Sequence, residues 1–407
     1  MKEVEGGICA PKGFRAGAIA CGIKASAKKR DLALIYSERP CTAAGVFTTN
    51  KVKAASVLVS QEHIENHTLR AVIANSGNAN ACTGEDGLDA ARKMASLIAA
   101  RFEIDPTQVA VASTGVIGKP FPIDIIEKNI GNLVASLRDD VEGHAAALEA
   151  IMTTDIRKKE TSVEIEIDWK PVRLGGIAKG SGMIHPNMAT MLCFITTDAA
   201  IAPEFLDSCL RSAVQRSFNR ITVDGDTSTN DMVIIMANGE AGNPPLTDSS
   251  PGAELFAGAL ESLCINLARA TARDGEGATK LITVTVFGTE DEETAEILAK
   301  SVASSSLVKA ACFGADANWG RILCAMGYSG ADFDPDEVDV SFASSEGEIQ
   351  VCCGGESLPF SEEAAKKILM QDDIEIRIKA GEGYGSATAW GCDLTYDYVK
   401  INGDYRS

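Results

Sequence analysis

The sequence predicts a mixed α/β protein. Strand-like and helix-like stretches alternate along the chain, the pattern of sheets packed against helices. The 407 residues are 45% hydrophobic, enough for a large core spread over two or three domains. Charged residues make up 23%, which argues against disorder.

Each element has a local reason. Arg70–Asn75 (RAVIAN) reads as a buried strand that ends in a loop, and Val109–Ala112 (VAVA) reads the same way. Val163–Asp168 and Ile374–Lys379 alternate apolar and polar residues, so each should have one wet face. Leu281–Phe287 (LITVTVF) is rich in β-branched residues. Ala253–Ala270 repeats Leu255, Phe256, Ala259, Leu260, Leu263, Cys264 and Leu267 at helical spacing. Asp86–Phe102 opens acidic, and Pro203–Phe218 opens with proline and glutamate, as helix starts do. Glu292–Ser304 and Ser361–Met370 complete the expected helices. Polar Gly/Pro-rich stretches at Asn238–Gly252 and Arg273–Lys280 mark candidate boundaries. From about Val284 a separate α/β unit of strands and two helices is expected.

Composition removes several function classes. The formal charge of −19 repels nucleic acid and anionic lipid, which leaves a small-molecule substrate. No stretch reaches the roughly 18 consecutive apolar residues of a membrane helix. The start, MKEVEGGICAPKGFRAG, lacks a basic segment followed by an apolar one, so the expected location is cytoplasmic. The 12 cysteines form no CxxC pair, and the 4 histidines show no HExxH spacing. No metal site and no cofactor is expected.

Gly175–Asp198, GGIAKGSGMIHPNMATMLCFITTD, is the unusual stretch. Its Gly-Ser-Gly lacks the GxxxxGK[ST] spacing of a phosphate loop. Pro186 holds the approach to Thr190 extended, and Met191–Ile195 then reads as an apolar strand. A small residue, Ala189, precedes a hydroxyl residue at a strand mouth. The Thr190 hydroxyl could attack the Ala189 carbonyl, and hydrolysis of the ester would free a chain beginning at Thr190. The new α-amine, with a pKa near 7.7–8.0, would be a base beside its own hydroxyl. The plainer alternative is a threonine at a strand edge, and the residue pattern alone favours it.

The run KGSGMIHPNMATML resembles the cleavage segment of the arginine-biosynthesis ornithine acetyltransferases, the ArgJ family. So do GGICAPKGF, VIANSGNANACTG, ASTGVIGKP, IMTTD, DGDTSTND, DGEGATK, SLVKAACFGADANWGRIL and YVKINGDYRS, in family order along the whole chain. The resemblance implies a four-layer α/β/β/α core like that of self-processing aminopeptidases, with a C-terminal α/β domain. It implies cleavage between Ala189 and Thr190 and three regions: 1–189, 190–283 and 284–407. The implied nucleophile is Thr190, and the implied oxyanion pair is Thr114 and Gly115, in a loop after VAVA. Substrate positions carry over to Thr153, Lys179, Thr190, Glu276, Asn402 and Ser407. After Asp155 this chain reads IRKKE where the family often has a threonine and then a proline and lysine, which leaves Thr153 and Thr154 as alternatives. The implied reaction moves acetyl from N-acetyl-ornithine to glutamate by a ping-pong route. Some members also take acetyl-CoA, and the sequence leaves that open. Members assemble from αβ heterodimers, so a heterotetramer is expected. The rival readings are a self-processing aminopeptidase, with water as acceptor, and a non-catalytic metabolite-binding protein. The loops Asn75–Asn80 and Asp224–Asp231 are rich in hydrogen-bonding groups and receive no role.

Overall fold

The computed structural model describes residues 1–24, 26, 28–185 and 191–404. Ala189, Thr190 and Ser407 lie outside the described residues.

The described residues contain two sheets. The nine-stranded sheet comprises β1 (Lys2–Glu3), β2 (Phe14–Ile19), β3 (Leu32–Phe47), β4 (Thr68–Asn78), β5 (Val109–Val116), β6 (Lys159–Ile167), β7 (Lys170–Lys179), β8 (Leu192–Thr197) and β9 (Met232–Ala237). Its order is β1-β6-β7-β8-β9-β3-β4-β5, with β2 also paired to β3. The sheet doubles back at β3, whose first part pairs with β4 and whose second part pairs with β9. The register shifts between Tyr36 and Cys41.

Side-chain alternation shows how the halves stack. Val72 and Ala74 of β4 and Ala110 and Ala112 of β5 share one core with Leu192 and Phe194 of β8 and Met232 and Ile234 of β9. Their neighbours Ala71, Ile73, Val109 and Val111 face helices α1 (Ala55–Ile64), α2 (Gly84–Phe102) and α3 (Ile123–Ala135). Helix α4 (Val141–Ile151) packs into the shared core. On the other outer face, Cys193, Ile195, Val233 and Ile235 meet α5 (Pro203–Gln215) and α6 (Ala253–Arg273). This is the expected four-layer α/β/β/α arrangement.

The six-stranded sheet comprises β10 (Leu281–Thr289), β11 (Val338–Ser344), β12 (Gly347–Cys353), β13 (Glu356–Ser357), β14 (Asp373–Ala380) and β15 (Gly385–Cys392), in the order β13-β12-β11-β14-β10-β15. It begins at Leu281, ahead of Val284. Its helices are α7 (Glu292–Ser304), α8 (Ser306–Phe313), α9 (Trp319–Gly327), α10 (Glu362–Leu369) and α11 (Tyr396–Asp404), so this part carries five helices among the described residues where two were expected. The three additional ones are short, eight or nine residues each, and offer too few turns for a periodic stripe to show. Trp390 and Cys392 of β15 join the core beneath α5 and α6, which docks the second sheet on the first. No helix of the described residues is long and apolar enough to cross a membrane.

Candidate active site

Three neighbouring strands end in register at one edge of the core. Lys179 of β7 pairs with Leu192 of β8, and Leu192 pairs with Met232 of β9. Thr190 precedes β8 by two positions in the sequence. From the opposite layer, β5 brings Thr114 and Gly115 to the same edge. The pair was expected in a loop. Instead β5 runs on through Val116, because β4 also continues to Asn78 and keeps pairing with it across a bulge. Gly115 has φ 129, and a Cβ there would stand 2.5 Å from the Gly77 carbonyl carbon, so only glycine fits.

A cavity of about 180 Å³ opens between the layers. Of the positions taken from the sequence, Thr114, Gly115, Thr153, Lys179, Glu276 and Asn402 all line it. Thr154 lines it too, and its hydroxyl shares a 2.7 Å hydrogen bond with Ser181. Ala189, Thr190 and Ser407 are not among the described residues.

Lys179 is a buried lysine. Its Nζ donates to Thr114 Oγ1 at 3.2 Å and so bridges the two layers. Burial lowers its pKa, and the Asp155 carboxylate opposes that shift. Asp155 belongs to a buried charge triad that sequence reading missed. Lys159 Nζ lies 2.6 Å from Asp155 Oδ1 and 2.6 Å from Asp274 Oδ2, and none of the three side chains is exposed. Asp155 also accepts from the Gly180 N–H at 2.7 Å and the Thr153 N–H at 2.8 Å. Burial pushes its carboxyl up, but Lys179, Lys159 and these hydrogen bonds together hold it well below the usual carboxylate range. The triad therefore ties the Thr153 turn, the Lys179 strand end and the start of the Glu276 loop into one unit.

Glu276 is set by its backbone and its carboxylate. Its N–H donates to the Ser181 carbonyl at 2.8 Å, and Oε2 accepts from Asn402 Nδ2 of α11 at 2.8 Å. Gly182 makes room, since a Cβ there would stand 2.4 Å from Glu276 Oε2. The segment Ser228–Asp231 closes the remaining wall. Asn230 Nδ2 donates to the Ala79 carbonyl at 2.6 Å and to the Ser113 carbonyl at 2.8 Å, a second bridge between the layers. Asp231 is buried, and its Oδ2 has no partner among the described residues. Burial pushes that carboxyl well above the usual range. Asn75–Asn78, by contrast, continue β4, where Asn75 Nδ2 donates to the Asn78 carbonyl at 2.9 Å.

A buried amine on a hydroxyl, a glycine N–H beside it and a carboxylate opposite suit acyl transfer to or from an amino acid. The comparison with known proteins agrees. The sequence profile of the ArgJ family matches residues 15–407. The chain belongs to the ArgJ family. It is thus an arginine-biosynthesis enzyme of the glutamate N-acetyltransferase kind. The "Arginine biosynthesis bifunctional protein ArgJ 1" of Clostridium acetobutylicum is 52% identical over 395 residues, covering 97% of this chain and 96% of its own. The ArgJ protein of Symbiobacterium thermophilum is 52% identical over 408 residues, and both chains are covered completely. A crystal structure of the ArgJ protein from Bacillus halodurans is 48% identical with a TM-score of 0.50, covering 52% of this chain and 98% of its own.

Within this ArgJ chain, the sequence motifs marked the cavity's polar lining but not what supports it. Lys159 and Asp274 are 115 positions apart, and no local pattern joins them. The one available signal was the cluster of two lysines just after Asp155.

Proposed function

We propose that this chain cuts itself between Ala189 and Thr190, and that Thr190 then carries acetyl from N2-acetyl-ornithine to glutamate. The observation that carries the reading is the convergence of Thr114, Gly115, Thr153, Lys179, Glu276 and Asn402 on one cavity at the edge where β8 begins.

In the first half-reaction the Thr190 oxygen attacks the acetamide carbon. The freed α-amine takes the hydroxyl proton and returns it to the departing nitrogen. Because the Thr114 oxygen accepts from Lys179, its own proton is free to donate to the developing oxyanion, beside the Gly115 N–H. The Glu276 carboxylate suits the ammonium group of ornithine. Lys179 suits a substrate carboxylate, and Thr153, Asn402 and Ser407 complete the substrate contacts. Glutamate's amine then attacks the acetyl-threonine ester and leaves as N-acetylglutamate. The curated relatives are called bifunctional, which favours acetyl-CoA as a second acetyl donor. Two further observations support self-cleavage. The Bacillus halodurans chain is matched almost completely by 52% of this one, and Thr190 to Ser407 is just over half of the chain. An assembly of αβ heterodimers, as a heterotetramer in the cytoplasm, completes the proposal.

Intact-mass spectrometry of the purified protein beside Thr190→Ala tests it. Wild type should appear as two pieces, the larger starting at Thr190, and should gain one acetyl group with N-acetyl-ornithine. The variant should stay whole. A folded wild type of full length would sink the reading.

A further inference from the structure

The loop Asp224–Asp231 grips two things at once. At one end, Asp224 Oδ2 accepts from the Met183 N–H at 2.6 Å and Oδ1 accepts from the Ile184 N–H at 2.8 Å. Met183 has φ 57, a left-handed backbone that a side-chain-bearing residue adopts only when its surroundings hold it there. Thr227 Oγ1 donates to the His185 carbonyl at 2.8 Å, and Thr227 forms an isolated β-bridge with Ile184. At the other end, Asn230 holds the Ser113 carbonyl, next to Thr114. Neither Asp224 nor Thr227 is part of the cavity lining.

We propose that Asp224 and Thr227 are positioning residues for self-cleavage: they clamp 183–185, the described approach to the cut, at a fixed offset from Thr114 and Gly115. The proposal rests on the self-cleavage reading. Attack on the preceding carbonyl forms the Thr190 Oγ–C bond and breaks the C–N bond between Ala189 and Thr190. The hydroxyl proton ends on the new amine, and water then hydrolyses the ester. That rearrangement depends on where the scissile segment lies against the groups that hold its oxyanion. After the cut, 183–185 belong to the end of the first piece and no longer carry the nucleophile. Met183 and Ile184 still line the cavity after the cut, but no step of the transfer uses their side chains, so the clamp acts on cutting before it acts on acetyl transfer. Tyr398 of α11 donates to Asp224 Oδ2 at 3.3 Å, so the clamp is completed by an element near the far end of the sequence.

The test follows cleavage of freshly synthesised full-length chain by intact mass, and separately the acetyl-transfer kcat per cleaved chain. Asp224→Asn places an amide where a carboxylate meets two N–H groups and should slow cutting by ~10²-fold. Thr227→Val, which loses one hydrogen bond, should slow it roughly fivefold. The kcat per cleaved chain should stay at the wild-type value in both. Cutting at wild-type speed in both variants overturns the proposal. So does a fall in kcat that matches the fall in cutting, because that marks a general structural role. If Asp224→Asn does not fold, Thr227→Val decides by the same two readouts. A wild type that never cuts defeats the self-cleavage reading itself, whatever the variants do.

Discussion

Lys159 sits between two carboxylates without any exposed surface, and its charge is outnumbered. Asp155, Lys159 and Asp274 bring two carboxylates to one amine, and the buried Lys179 lies beside Asp155. Removing Lys159 leaves the two buried carboxylates without the amine that bridges them. Lys159→Met should destabilise the fold by about 3–5 kcal/mol at pH 7, read from chemical denaturation. The pH dependence has a definite sign. Asp155 has its folded pKa below the ordinary 3.8, so its stabilisation is present above about pH 4 and is lost as pH falls below it. In Lys159→Met the Asp155 carboxyl, stripped of one partner, gains from protonation. The gap between wild type and variant should therefore narrow below about pH 4, and a constant gap would refute the charge argument. At this scale the sequence was readable wherever a motif was contiguous. Thr114, Gly115, Lys179 and Glu276 each stand in one, and all line the cavity. The triad was not readable, because its members meet only through tertiary contacts.

Elements were legible in proportion to their periodicity. β6 and β14 alternate buried and exposed positions as their sequences do, and α7 spans Glu292–Ser304 as read. β3 was missed, since a strand buried on both faces in most of its length shows no alternation. α11 was missed for the opposite reason. It has no buried residue, so it has no apolar stripe to find. Its hold on the body is polar: Asn402 on Glu276, Tyr398 on Asp224, and Thr395, just ahead of it, on the Gly277 carbonyl at 2.7 Å. Asn402→Ala should raise the KM for N-acetyl-ornithine by roughly fivefold, since one hydrogen bond to the substrate's carboxylate partner is lost. It should hardly move the melting temperature, because exposed positions contribute little to stability. An unchanged KM would remove Asn402 from the substrate site.

For the whole molecule, the cut would fall beside a central strand. Every residue of β8 is buried between β7 and β9, and burying Leu192 or Phe194 is worth about 1.5–3 kcal/mol each. The two pieces should hold together while folded. Once unfolded they must find each other again, so refolding of cleaved protein should slow on dilution. Thr190→Ala should refold at a rate independent of concentration. Equal dilution behaviour would show that the pieces never fully separate. The doubled sheet adds a mechanical consequence. The two ends of β3 belong to the two layers that flank the cavity: Leu32 pairs with Asn75 of the strand beside β5, and Phe47 pairs with Met232 of the strand beside β8. Its irregular stretch near Ser37–Pro40 lies at the far end. One strand thus works as a pair of tongs, with its fulcrum remote from the chemistry. The layers that carry Lys179 and Thr114 share one strand, so a change in its irregular stretch should be felt in their spacing without altering a single group that handles substrate.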